Sequence, residues 1–180
     1  MKKKIGIVNL EINNINSIHE ACIEAGYNVK IIDKDTKRYN FDIIILPGIG
    51  SFKKGMEKLK KINFENKIKH FLTDRNNLLL GICLGMQLFF SKSMEFGNTK
   101  GLDLIKGEVN PINKKFIVPH TGWNKVKILK KKNYFKESYN KKNFYFTHSF
   151  YCKPKNWEYV IGETNYNNFK FCSMVKKENI

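Results

Sequence analysis

The stretch that most constrains this chain is Leu78 to Phe90, LLLGICLGMQLFF. An apolar run, Leu78 to Leu80, leads into Gly81-Ile82-Cys83-Leu84-Gly85. Met86, Leu88, Phe89 and Phe90 then follow with the mixed spacing of a buried helix. The pattern predicts strand, sharp turn and helix, with Cys83 at the turn. Glycines two residues before and two after a nucleophile allow a strained backbone without a Cβ clash and lift the side chain off the end of a sheet. A helix beginning at Leu84 points free N–H groups and its positive dipole end at the sulfur, which lowers a thiol's pKa and favours the reactive thiolate. The same short pattern also suits a buried structural cysteine in a core strand.

A length of 180 residues predicts one domain, 1–180, with a substantial single core. The formal net charge of +17 first suggests a nucleic-acid partner. Its make-up argues against one: Arg38 and Arg75 are the only arginines, whereas phosphate and base recognition leans on Arg. The lysines are spread along the chain, which fits a solvated surface that steers acidic partners. Cys22, Cys83, Cys152 and Cys172 are widely separated, with no C-x-x-C pair and no histidines at metal-ligand spacing. The expectation is a reduced cytoplasmic protein that needs no metal or other cofactor. The basic start, MKKKIGIVNL, has too short an apolar stretch for a signal peptide, and no apolar run is long enough to span a bilayer.

Lys4 to Asn9 is a continuous apolar run with β-branched residues, as in a strand buried on both faces. Ile15, Ile18, His19, Cys22 and Ile23 recur at three and four, an amphipathic helix that Gly26 closes. Val29 to Ile32 reads as a second strand and Phe41 to Leu46 as a third. Strand, helix, strand with short connections is the signature of a parallel sheet with helical crossovers. Pro47-Gly48-Ile49-Gly50-Ser51-Phe52 follows the third strand directly, and a helix is predicted from Phe52 through Leu59. By itself this is an ordinary strand-to-helix turn. Beside Cys83, both loops open at the carboxyl edge of one parallel sheet, where ligands bind in such folds. One loop would then supply a nucleophile and the other an oxyanion-binding N–H.

Taken together, PGIGSF and GICLGMQLFF resemble the class I (triad-type) glutamine amidotransferases. Pro119-His120-Thr121-Gly122-Trp123-Asn124 and Tyr145-Phe146-Thr147-His148-Ser149-Phe150 are similar to segments of the branch that serves histidine biosynthesis. The similarity runs the whole length of the chain. It implies a flavodoxin-like α/β domain, a parallel sheet with helices on both faces, that hydrolyses L-glutamine and passes ammonia to a separate (β/α)8-barrel cyclase in a heterodimer. Carried over by position, Cys83 is the nucleophile, and the N–H groups of Gly50 and Leu84 hold the oxyanion. Gln87 contacts the substrate amide, and the backbone of His148, Ser149 and Phe150 its amino-acid end. Trp123 and the Asn13-Asn14 loop face the partner. Trp123 also reads as a packed aromatic, and His120 and His148 as satisfied structural histidines.

Two departures from the family pattern matter. Its first loop usually reads DYGxGN, whereas this chain has Asn9-Leu10-Glu11-Ile12-Asn13-Asn14, with both glycines replaced. That leaves open a paralogue supplying ammonia for amidino-sugar synthesis. The family carries its triad His and Glu in a later segment like QFHPE, whereas no His follows His148 here. The expectation is a domain lacking the family's C-terminal segment, with little glutaminase turnover of its own. A non-catalytic scaffold that kept the fold and the interface is the alternative from another class.

Overall fold

A computed structural model describes residues 2–11, 14–129 and 139–180. The chain opens with β1 (Lys4–Val8), α1 (Ile15–Glu24), β2 (Asn28–Ile32) and β3 (Ile43–Gly48). Then come α2 (Phe52–Lys61), α3 (Phe64–Phe71), β4 (Leu78–Cys83) and α4 (Leu84–Leu88). The four predicted strands lie side by side in the order β2-β1-β3-β4, all parallel.

Alternation along these strands sorts the core into two faces. Ile5, Ile7 and Ile45 pack with Ile15, Ile18 and Cys22 of α1. Ile44, Leu46 and Leu79 belong to a larger cluster with Phe52, Met56 and Leu59 of α2, Phe64 and Ile68 of α3, and Leu84 and Leu88 of α4. Helices therefore pack on both faces, as the parallel connections require, and Leu78, Leu80 and Ile82 at the β4 edge remain exposed. Gly26, at φ +84°, turns the chain out of α1. At the open edge of β4, the Leu79 N–H donates to the Asn179 carbonyl at 2.9 Å. The buried Asn179 amide in turn donates to the carbonyls of Leu72, Asp74 and Asn77.

The second half departs from the single parallel sheet read from the sequence. It supplies β5 (Phe90–Ser93), β6 (Thr99–Lys100), β7 (Ile105–Pro111), β8 (His120–Lys125), β9 (Lys127–Ile128), β10 (Asn143–His148), β11 (Phe150–Pro154), β12 (Val160–Tyr166) and β13 (Phe169–Val175). Seven of these form a mostly antiparallel sheet in the order β6-β5-β7-β11-β13-β12-β9, and β8 pairs with β10 as a separate two-stranded ribbon. A local signal for it exists: Asn167 and Asn168, both at positive φ, join β12 to β13. Such a pair is the usual chemistry of a tight hairpin. Ile105, Val109 and Cys152 of this sheet join the core cluster that α4 enters, so α4 is held between the two sheets. Among the described residues, no helix is long and apolar enough to cross a membrane.

Candidate active site

Cys83 ends β4 and caps α4, at φ 57° and ψ −117°. An L-residue rarely adopts that backbone, so local strain is stored at the nucleophile position. The flanking glycines do a different job from the one their spacing suggests. Neither Gly81 nor Gly85 has positive φ; each allows close approach. A Cβ at Gly81 would stand 2.6 Å from the Met86 nitrogen, and one at Gly85 would collide with the Leu46 carbonyl oxygen. The missing side chains let α4 fold back onto β3 and β4, and that packing holds Cys83 in its turn.

The loop after β3 meets this turn as expected. Gly48 pairs with Cys83 across the β3–β4 ladder. Gly50, two residues on, is exposed at φ +89° with open space where a Cβ would be. The start of α2 is held by a contact that local reading missed. The Phe52 N–H donates to the Glu95 carboxylate at 2.6 Å, across 43 residues of sequence. Nothing in the sequence around Glu95 signals this role.

The thiol itself differs from expectation. Cys83 is exposed as a residue, yet its sulfur is closely flanked by protein. Desolvation pushes the thiol up, outweighing a hydrogen bond from the Leu84 N–H that pulls it down. The predicted lowering by the helix therefore does not prevail, because desolvation of the sulfur outweighs the one N–H that bonds it. The buried Cys152 and Cys172, opposite each other on β11 and β13, are raised further, Cys172 to about 12.

Across the core, the Gln87 side-chain amide donates to the Phe150 carbonyl at 3.2 Å. His148 Nδ1 reaches the same oxygen at 2.8 Å. Gln87, on α4 one turn past Cys83, is thus joined to the start of β11 and the end of β10. The neighbouring Ser149 carbonyl accepts from the Ile112 N–H at 2.9 Å. His120, which is 3% exposed, lies 2.9 Å from His148 through Nδ1 and stacks on Tyr166 at 4.1 Å. Burial lowers the pKa of both imidazoles, helped at His120 by the charge of His148 and opposed at His148 by the Phe150 carbonyl.

The ribbon's other face is open. Trp123, 72% exposed, pairs with Tyr145 across β8 and β10, their rings edge to face at 5.7 Å. Asn14 stands exposed at the N-cap of α1, and Asn13 lies outside the described residues. The loop before it does without its glycine. Glu11 takes φ 57°, its N–H donates to Asn9 Oδ1 at 2.8 Å, and its carboxylate pairs with Lys58. An exposed cysteine on a strained turn, glycines facing it and the Gln87 amide four residues on are the parts of an acyl-transfer site.

The family model for glutamine amidotransferase class-I matches residues 7–180. The imidazole glycerol phosphate synthase subunit HisH of Chlorobaculum tepidum is 36% identical over 175 residues, 97% of this chain and 87% of the relative. HisH 1 of Campylobacter jejuni is 38% identical over 181 residues, covering 98% and 88%. Among solved structures, a glutamine amidotransferase crystal structure superposes with a TM-score of 0.73 at 13% identity, over 97% of this chain and 85% of that one. PurLQS from Thermotoga maritima gives 0.66 at 18% identity, over 93% and 76%. At such identities these structures show a shared fold.

Proposed function

The chain belongs to the class-I glutamine amidotransferases, and from that premise we propose that it is the glutaminase subunit of an imidazole glycerol phosphate synthase, working in the cytoplasm as one domain. The observation that carries the chemistry is the strained Cys83 turn set against the Gly48 to Gly50 loop. Cys83 sulfur attacks the γ-carboxamide carbon of glutamine, the carbon–nitrogen bond breaks, and the proton given up by the thiol passes to the departing nitrogen, which leaves as ammonia. Water then cleaves the thioester to glutamate. The Leu84 N–H already donates to the sulfur, so it lies beside the carbon under attack and, with the Gly50 N–H, holds the oxyanion. Gln87 contacts the substrate amide, and the backbone of His148, Ser149 and Phe150 the amino-acid end.

Ammonia passes to a (β/α)8-barrel cyclase that seats on Trp123, Tyr145 and the loop before α1, giving a heterodimer. Support for that face is the exposed aromatic pair and the HisH relatives, which are synthase subunits by name. The buried His120 and the half-buried His148 are already committed, His120 to His148 and His148 to Phe150. The proposal therefore gives neither the task of protonating the departing ammonia.

A glutamine analogue with a diazoketone in place of the carboxamide tests the reading, because it alkylates a thiol only where the γ-carbon is presented to it. Mass spectrometry of the labelled chain, with its cyclase present, should find the adduct on Cys83, blocked by glutamine and absent in Cys83→Ser. An adduct on another cysteine, or labelling that glutamine does not block, overturns the assignment.

A further inference from the structure

Four hydrogen bonds run in series from Asn124 on β8 to Gln87 on α4. Asn124 Nδ2 lies 3.4 Å from His120 Nε2, His120 Nδ1 2.9 Å from His148 Nε2, and His148 Nδ1 2.8 Å from the Phe150 carbonyl. Gln87 Nε2 closes the series on that same oxygen at 3.2 Å. The acceptor at one end settles every proton. A carbonyl oxygen can only accept, so His148 carries its proton on Nδ1 and, being neutral, offers a lone pair on Nε2. His120 must then donate from Nδ1 and accept on Nε2. Asn124 suits that acceptor, because its Oδ1 is occupied by the Lys125 N–H at 2.8 Å and its amide nitrogen faces the ring. Burial of His120 among Phe146, Tyr166 and Phe171 shields that ring's own bonds from competing water.

We propose that His120 is a positioning residue for the glutamine site: by donating to Nε2 of His148 it holds the tautomer that the Phe150 carbonyl requires, and so keeps His148 and the Gln87 side-chain amide bonded to that one oxygen. Phe150 oxygen has two lone pairs, and His148 and Gln87 fill both. Gln87 must turn Nε2 toward that oxygen, which leaves Oε1 as the acceptor for a ligand N–H. With the second tautomer of His148, Nδ1 would repel the carbonyl, and the carbonyl and the Gln87 amide would lose their common reference. The substrate part of this inference rests on the glutaminase reading; the part about Gln87 does not.

The test uses the full chain and three substitutions. His120→Phe keeps a ring in the aromatic stack and removes the donor. His148→Asn places an N–H near the lost Nδ1 and can still bond Phe150. His148→Gln carries its amide one carbon further out and cannot. Ring-nitrogen NMR of the unsubstituted chain should show His148 protonated on Nδ1 alone. The Gln87 side-chain amide resonance should move in His120→Phe and His148→Gln and be largely restored in His148→Asn. With the cyclase present, KM for glutamine should rise about tenfold in His120→Phe, the loss expected for one hydrogen bond, with kcat changed by less than about twofold. A Gln87 resonance indifferent to His120→Phe, or His148→Gln outperforming His148→Asn as side-chain size alone would favour, overturns the proposal. If the resonances behave as expected while the unsubstituted chain fails to bind glutamine, the relay stands and the glutaminase reading falls.

Discussion

Gly48 stands directly across the β3–β4 pair from Cys83, and a Cβ there would press to 3.0 Å on the Cβ of Leu84, the first residue of α4. The nucleophile's turn and the facing loop are therefore packed through a place where no side chain fits. Gly85 is tighter, since its added Cβ meets the Leu46 backbone oxygen, which cannot swing away as a side chain can. Gly85→Ala should push α4 off β3 and cost about 3 kcal/mol, the upper range for overpacking a well-filled core. Urea denaturation followed by circular dichroism checks this. Gly97→Ala serves as the comparison, because its added Cβ meets open space and only its φ of +101° is strained. Equal midpoints for the two variants would contradict it.

Of the four cysteines, only Cys83 is exposed; Cys22 is half-buried, and Cys152 and Cys172 are buried. Alkylation should therefore reach Cys83 first. Because desolvation raises its thiol rather than lowering it, the rate should keep climbing as pH passes 8 instead of levelling off near neutrality. Peptide mapping after brief iodoacetamide treatment at several pH values measures both. A plateau below pH 7 would mean the Leu84 N–H outweighs burial.

Trp123→Ala should weaken association with the cyclase by about 2 kcal/mol, roughly thirtyfold in Kd, as a central aromatic anchor does. Its exposure and its edge-to-face contact with Tyr145 make it available to a partner without a role in the core. Thermal melting of the free subunit should stay within about 0.5 kcal/mol of the parent. An unchanged Kd by titration calorimetry, or a large loss in the free subunit, would make Trp123 a packing residue.

The imidazoles of His120 and His148 have pKa values below the ordinary 6.5 in the folded chain. As pH falls below about 6.5 the unfolded chain takes up protons first, so stability owed to these neutral rings is present above that value and is lost as pH drops through their folded values. Denaturation midpoints should therefore fall between pH 7 and pH 5. The slope should flatten in His120→Phe, which removes one of the two groups. A slope identical in the variant would place the titration elsewhere.

What the sequence by itself determined is the four-stranded parallel sheet and the Cys83 turn. Continuous apolar runs at 4–9, 29–32, 41–46 and 78–82 mark the strands locally, but burial follows position in the sheet: β1 and β3 at its centre are buried, while Ile31 of β2 and Leu78, Leu80 and Ile82 of β4 at its edges are exposed. Glycines around Cys83 announced a turn there, although in the fold they make room for backbone while Cys83 itself carries the strained torsion. Tertiary structure alone decided the rest. The strands after Phe90 are half-exposed and varied, so their pairing into a seven-stranded sheet depends on register between distant segments. The bonds that build the site join residues 28, 43 and 63 positions apart: His120 to His148, Phe52 to Glu95, and Gln87 to Phe150. The thiol's shift was decided by how much protein surrounds the sulfur. Local periodicity records which residues are fit to be hidden from water; it carries no record of what, if anything, they are hidden against.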